Sequence, residues 1–220
     1  MYIYDTTYTS CLAEQENDKY CNSYNRIQTL VMTELSKIKN SLLKIYPFTE
    51  EQLDQFTDKL TFRKLNKKDF LLKPRQISNR LTFINKGSLR LYTETEHSEL
   101  TINFFTENAW VADLESLLKQ RPSTNYIEAF EDTDIATITL QDIHLLMDTY
   151  PCFRMLNSLL ANMTITTAHI TSIKTKNPDD RYKDLLKSSP DWLKKFPQHQ
   201  IASYLGMTPE TLSRVRARLI

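Results

Sequence analysis

Glycine is scarce in this chain: Gly87 and Gly206 are the only two in 220 residues. That leaves no material for a glycine-rich phosphate-binding loop. Cysteine is scarce as well. Cys11, Cys21 and Cys152 form an odd, widely spaced set, which excludes a disulfide framework and a structural zinc site. No apolar run approaches the roughly 18 residues of a membrane-spanning helix. The N-terminal "MYIYDTTYTSCLAEQENDKY" has neither the basic start nor the apolar stretch of a secretory signal. No nucleophile–base pair stands out, and the one histidine among the strand-like runs, His97, sits alone in the turn "TEHSEL", so a cupin-type metal enzyme is excluded. The expectation is a cytoplasmic protein with free thiols, no membrane segment, no metal, no cofactor and no enzymatic activity.

What the chain does have is unevenly distributed. Its net charge is only +1, yet residues 181–220 carry eight lysines and arginines against three acids. A basic end on a slightly acidic body points to a separate module for a polyanion, set against a solvated charged face. Residues 1–31 are polar and patternless, read either as a flexible extension or as lying upstream of a natural start at Met32. From Met32 apolar residues recur at helical spacing, and Thr49 with Gln52 has capping-box spacing for a second helix. Between Leu60 and Leu140 the pattern becomes short alternating runs, "LTFRKL", "DFLLK", "LTFINKG", "SLRLYTE", "LTINFF", "NYIEAF" and "DIATITL". Such closely spaced strands predict a β-sandwich or barrel, interrupted by one short helix in "DLESLLKQRPS". After Leu140 the chain turns helical. Phe153, Leu156, Leu160, Met163, Thr167 and Ile170 alternate in steps of three and four, a seam suited to pairing with a second copy or to packing on its own domain. Asn177, Pro178, Asp179 and Asp180 form a helix start, and place a hinge between the two halves.

The last stretch, "QIASYLGMTPETLSRVRARLI", has the mechanical parts of a helix-turn-helix. Ala202 is small where two helices cross. Gly206 supplies the positive φ of a sharp turn. Thr208 and Pro209 suit the N-cap and first turn of a second helix, and Ile201, Leu205, Met207, Leu212 and Val215 face inward. The recognition helix is expected over about 209–219. Glu210 and Arg214 lie one turn apart, where arginine can donate to guanine and glutamate can accept from cytosine. Pro209 lies at the same helix start. Thr208, Thr211, Ser213 and Arg218 suit phosphates or side-chain positioning, and Gln198 and His199 begin the first helix near the backbone.

A β domain, a pairing helix and a terminal helix-turn-helix, in that order, resemble the Crp/Fnr family of bacterial transcription regulators over about residues 32–220. The likeness is strongest in "QIASYLGMTPETLSRVRARL" and is visible again in "NRLTFINKGSLRLY", where Gly87 matches a family turn glycine. The fold class this implies is α+β: an N-terminal β-roll of the cyclic-nucleotide-binding jelly-roll type with flanking helices, a long dimerisation helix, and a C-terminal helix-turn-helix without a complete wing. The expected division is 1–31 extension, 32–150 β-roll, 151–176 dimerisation helix and hinge, and 177–220 DNA-binding domain. The resemblance implies a homodimer that binds double-stranded DNA, contacts RNA polymerase and has an unknown small-molecule effector. A sensor or protein-docking module that does not bind DNA is the alternative.

In relatives that bind cyclic AMP, Gly-Glu-Leu opens a short helix and Arg-Ser follows about ten residues on. Here the aligned stretch is "VADLESLLKQRPSTNYIEA". Ala112 replaces the glycine and Asp113 the glutamate, Ser123 and Thr124 stand in place of Arg-Ser, and Arg121 comes two residues early. Without that arginine a buried phosphate loses a strong charge-assisted pair, so tight cyclic AMP binding is not expected. Trp110, Ala112, Asp113, Arg121, Ser123, Thr124 and Tyr126 are the candidate lining of an effector pocket, set against a filled β-roll with a vestigial site. Three cysteines fall short of an iron–sulfur ligand set, and His97, His144, His169 and His199 show no haem pattern. At the other end, Pro209 stands where cyclic AMP-dependent relatives carry a base-reading arginine, and no complete wing is expected after the recognition helix.

Overall fold

The computed structural model describes residues 32–219 other than 97, 162 and 164–174. Two helices come first: α1 over 32–43 and α2 over Glu50–Thr57. The sequence-predicted capping box is present, with Thr49 Oγ1 accepting from the Gln52 N–H and Gln52 Oε1 accepting from the Thr49 N–H. Eight strands follow: β1 (Thr61–Leu65), β2 (Phe70–Leu72), β3 (Arg80–Lys86), β4 (Ser88–Glu94), β5 (Glu99–Thr106), β6 (Trp110–Val111), β7 (Asn125–Ala129) and β8 (Thr133–Thr139). They form two antiparallel four-stranded sheets, ordered β1-β8-β3-β6 and β2-β7-β4-β5. Seven strands coincide with the alternating runs. The eighth, Trp110–Val111, has only two residues and is too short to show an alternation.

Strand parity separates two cores. Leu65, Ile84, Leu89, Val111, Ile127 and Ile135 are buried together in one cluster between the sheets. Leu81, Phe83, Trp110, Ala136 and Ile138 belong to a second cluster with the helices. That layer comprises α1, α2, α4 (Leu140–Thr149) and a 3-10 turn at Pro151–Met155, followed by α5, which is described at 156–161 and 163. The short helix α3 (Leu114–Lys119) interrupts the strands, as its sequence indicated.

The stripe expected to pair with a second copy is used differently at its start. Phe153 and Leu156 are 0% and 1% exposed within a single chain. The Phe153 ring stacks on Phe48 at 5.3 Å and lies against Phe56. Leu160 belongs to the same core, with Met163 packed against it. The outer face of the β1-β8-β3-β6 sheet and the helices around it thus bury these side chains within their own domain. Thr167 and Ile170 lie outside the described residues.

The C-terminal module contains α6 (Pro178–Ser188), α7 (Trp192–Lys195), α8 (Gln198–Tyr204) and α9 (Pro209–Leu219). Asn177 caps α6 with Pro178 in its first turn. Tyr182, Leu185, Phe196, Ile201, Ala202, Tyr204, Leu205, Leu212 and Val215 form its core. One further buried member comes from elsewhere in the chain: Phe104 of β5.

Candidate nucleic-acid interface and effector cavity

The α8–α9 pair is held by the residues its sequence marked out. Ala202 is fully buried where the helices meet, and its carbonyl accepts from the Met207 N–H at 3.0 Å. Gly206 turns the chain at φ 62°. Thr208 Oγ1 accepts from the Thr211 N–H at 3.2 Å, an N-cap bond. Leu212 and Val215 lock the inner face of α9. The outer face presents Thr208, Pro209, Glu210, Ser213 and Arg214, all exposed, with Thr211 half-buried and Gln198 and His199 exposed at the start of α8. The Glu210 carboxyl is held below the usual carboxylate range by hydrogen bonds from its own backbone N–H and from Thr208, with the nearby Arg214 charge adding to the effect. Glu210 is therefore an ionised acceptor beside Arg214.

Two arginines have roles the residue pattern did not show. Arg218 makes an ion pair with Asp179 at the start of α6, so it braces the module rather than standing free. Arg181 donates from Nη1 to the carbonyls of Leu205 and Gly206 at 2.8 and 3.0 Å, pinning the turn at the free carbonyl end of α8.

The module docks on the edge strand β5. Ser203 Oγ accepts from the Thr101 N–H at 2.9 Å and donates to the Glu99 carbonyl at 2.8 Å. Edge-strand groups that would face solvent are thereby satisfied. Alongside, Arg90 is 5% exposed, stacks over the Tyr92 ring, donates to Thr101 and pairs with Glu99 at 2.6 Å. A cavity of about 620 Å³ separates the β4–β5 hairpin from the helix-turn-helix, with His199, Thr208 and Pro209 on its helical side.

A charge pair adds to the docking: Lys195 Nζ lies 2.6 Å from the Glu131 carboxylate. Burial works to raise the Glu131 pKa, but hydrogen bonds from Lys195 and Ser88 outweigh it and hold the carboxyl below its ordinary 4.5. A lowered carboxylate contributes above its ordinary value and loses that contribution as pH falls through the lowered one. Trp192 fluorescence is therefore expected to change on acidification below about pH 4.5 in the wild type. It should change less in Glu131→Gln. Equal titrations in the two proteins would remove Glu131 from the docking.

The cassette region of the β-roll is closed on itself. Asp113 is 4% exposed. Its carboxylate accepts from Ser123 Oγ at 2.5 Å, from Asn125 Nδ2 at 3.0 Å and from the Ser116 N–H at 3.2 Å, so it caps α3. Of the sequence-predicted pocket residues, only Ala112 lines a cavity in the roll beside the cassette. Trp110 points into the helical layer, with Nε1 donating to Ser41. Tyr126 stacks on Tyr92 at 5.0 Å and donates to Glu94. Arg121 and Thr124 are exposed. The lining therefore does not converge as expected, because adjacent positions on β6, the following loop and β7 project into different layers. The cavity itself measures about 410 Å³ and is bordered by Arg63, Arg80, Thr82 and Ile127. Among the described residues, no group of three or more His, Cys, Asp or Glu could hold a metal ion, and no helix is long and apolar enough to cross a membrane.

Residues 62–150 match the family model of the cyclic nucleotide-binding domain. The transcriptional regulatory protein btr of Bordetella pertussis is 24% identical over an alignment of 145 residues that covers 60% of this chain and 60% of that relative's length. Among solved structures, the c-di-GMP-responsive global regulator CLP of Xanthomonas campestris is similar with a TM-score of 0.58 and 16% identity, over 78% of this chain and 91% of that one. CooA of Carboxydothermus hydrogenoformans has a TM-score of 0.60 and 17% identity, over 80% and 81%. Residues 62–150 thus carry a cyclic nucleotide-binding domain, and the described residues as a whole share the fold of these two solved structures.

Proposed function

We propose that this chain is a sequence-specific, double-stranded-DNA-binding transcription regulator that acts as a homodimer. Two α9 helices enter successive major grooves about one helical turn apart on a pseudo-palindromic site. The observation that carries this reading is the division of α9: Leu212 and Val215 are buried, whereas Glu210, Ser213 and Arg214 project from the same helix into solvent. Glu210, held ionised by its own backbone N–H and Thr208, and Arg214 stand one turn apart on that exposed face, placed to meet base edges. Arg214 takes the base-reading role, Glu210 accepts from a base or orients Arg214, and Thr208, Thr211, Gln198 and His199 serve the phosphates. Pro209 pre-forms the helix start, and the Asp179 pair of Arg218 leaves it a bracing part. RNA polymerase is the partner expected of such a regulator at promoters.

Selection of DNA sites from a randomised library, followed by titration at several salt concentrations, tests the proposal. Arg214→Ala should cost about 1–3 kcal/mol on the selected site and relax one base pair per half-site. Binding as tight as that of the wild type would remove Arg214 from base reading. A flat salt response on random duplex would remove DNA as the ligand. The β-roll is proposed not to respond to cyclic AMP. The Asp113 oxygens that would meet a ribose are already occupied by Ser123, Asn125 and the Ser116 N–H.

A further inference from the structure

The interior of the β-roll is aliphatic at one end and cationic at the other. On β1 the inward positions alternate with outward ones. Leu65 belongs to the inter-sheet core, so Arg63, two residues earlier, shares its face. On β3, Ile84 belongs to that core, which puts Thr82 and Arg80 on the same inward face. The register agrees: β8 runs between the two strands, pairing Ile135 with Arg63 and Ile84, and Thr137 with Thr61 and Thr82. Inward positions of a sandwich are normally apolar. Here two of them are arginines, and both border the cavity of about 410 Å³.

Three further observations give this cavity a chemistry. No aspartate or glutamate lines it. Neither Arg63 nor Arg80 has an ion pair or side-chain hydrogen bond with any described residue, in contrast to Lys39, Arg90 and Lys195, which are buried or half-buried and ion-paired. Exposure also grades along the cavity. Arg63 is exposed and Arg80 half-buried, whereas Leu72, Val111 and Ile127 are 6%, 0% and 1% exposed. The result is a cationic mouth over an aliphatic floor, within the size range of small-molecule sites, about 300–1,000 Å³.

We propose that this cavity binds a small organic anion, a carboxylate or phosphate monoester carrying an apolar body. Arg63 and Arg80 hold the anionic head, and Leu72, Val111 and Ile127 receive the body. The planar guanidinium fork matches both carboxylate and phosphate, bidentately. The site adjoins the Asp113 cassette through Val111 and Ala112 but uses none of its polar atoms, which are committed to one another.

The test uses the full chain with no DNA present, so its outcome is independent of the DNA-binding proposal. Octanoate, phenyl phosphate and the neutral octanamide are titrated by calorimetry and by thermal shift. At least one anion should bind saturably and raise Tm, and octanamide should bind at least about tenfold more weakly than that anion. Which anion binds assigns the head as carboxylate or phosphate. Arg63→Gln and Arg80→Gln should each weaken binding about tenfold or more, and the double variant should abolish it. Arg154→Gln, an exposed cation on the Pro151–Met155 turn, should leave it unchanged. Circular dichroism of each variant should match the wild type, because neither arginine has a native partner to lose. The proposal is overturned if neither anion binds saturably at millimolar concentration, if octanamide binds as well as the anions, or if the double variant binds like the wild type.

Discussion

Gly87→Ala is expected to cost the β-roll about 3 kcal/mol or more, enough to threaten folding at 37 °C. Gly87 closes the β3–β4 hairpin at φ 96°, outside the basin that side chains adopt readily. A methyl group there would also meet Thr133 Oγ1 at 2.5 Å, the Asp132 carbonyl at 2.7 Å and Thr133 Cα at 2.8 Å. Two of those atoms are backbone, and the third is committed: Thr133 Oγ1 accepts from the Ser88 N–H and donates to nearby carbonyls. The collision therefore cannot be relieved by a rotamer change. It would push β8 from β3 and break a buried hydrogen-bond group. Gly206 offers a control. Its φ of 62° lies in the left-handed helical basin and it is exposed, so Gly206→Ala should cost only about 1 kcal/mol. Urea unfolding of both variants measures the difference. Equal losses would show that the crowding at Gly87 relaxes without cost.

The contrast between these two glycines indicates how much of the molecule was legible in its sequence. Local signals were readable because they act within a few residues: the Thr49–Gln52 capping box, the Asn177–Pro178 helix start, and the Gly206 turn with its Thr208 cap. Seven strands followed from alternation, and the α8–α9 pair from apolar spacing together with Ala202, Gly206 and the Thr208–Pro209 start. The exposed face of α9 was equally legible, since spacing along one helix determines which side chains share a surface. The effector cavity was not. Sequence proximity grouped Trp110, Asp113 and Tyr126, but a reversal of strand direction and the alternation of faces send them to three environments. Arg63 and Arg80 are 17 positions apart and border one cavity only because β8, which arrives more than 50 residues later, lies between their strands. Arg181 and Phe104 were missed for the same reason: their partners are contributed by distant segments. The stripe beginning at Phe153 shows the opposite limit, because helical periodicity identifies a buried face without naming what buries it.

Phe104→Ala is expected to separate the stability of the two modules. Phe104 belongs to β5 by chain position, yet its ring lies in the core of the C-terminal helices. It stacks on Phe196 at 4.0 Å and 20°, and lies 5.3 Å from Trp192 and 5.9 Å from Tyr204. Burial in the same cluster pushes the Tyr204 hydroxyl up to about 12. Truncating a fully buried phenylalanine costs about 3–5 kcal/mol. The loss falls on the small four-helix module, whose own core is limited, and not on the β-roll, whose inter-sheet cluster does not include Phe104. The chain's two tryptophans report the two sides separately: Trp110 lies in the helical layer of the β-roll and Trp192 beside Phe104. In a Trp110→Phe background, Phe104→Ala should lower the Trp192 unfolding midpoint by the equivalent of about 3 kcal/mol or more. In a Trp192→Phe background, the Trp110 midpoint should move by less than about 1 kcal/mol. Coincident shifts in both reporters would mean that Phe104 supports one cooperative unit. The absence of a shift at Trp192 would mean that the ring's place in the C-terminal core contributes no docking energy.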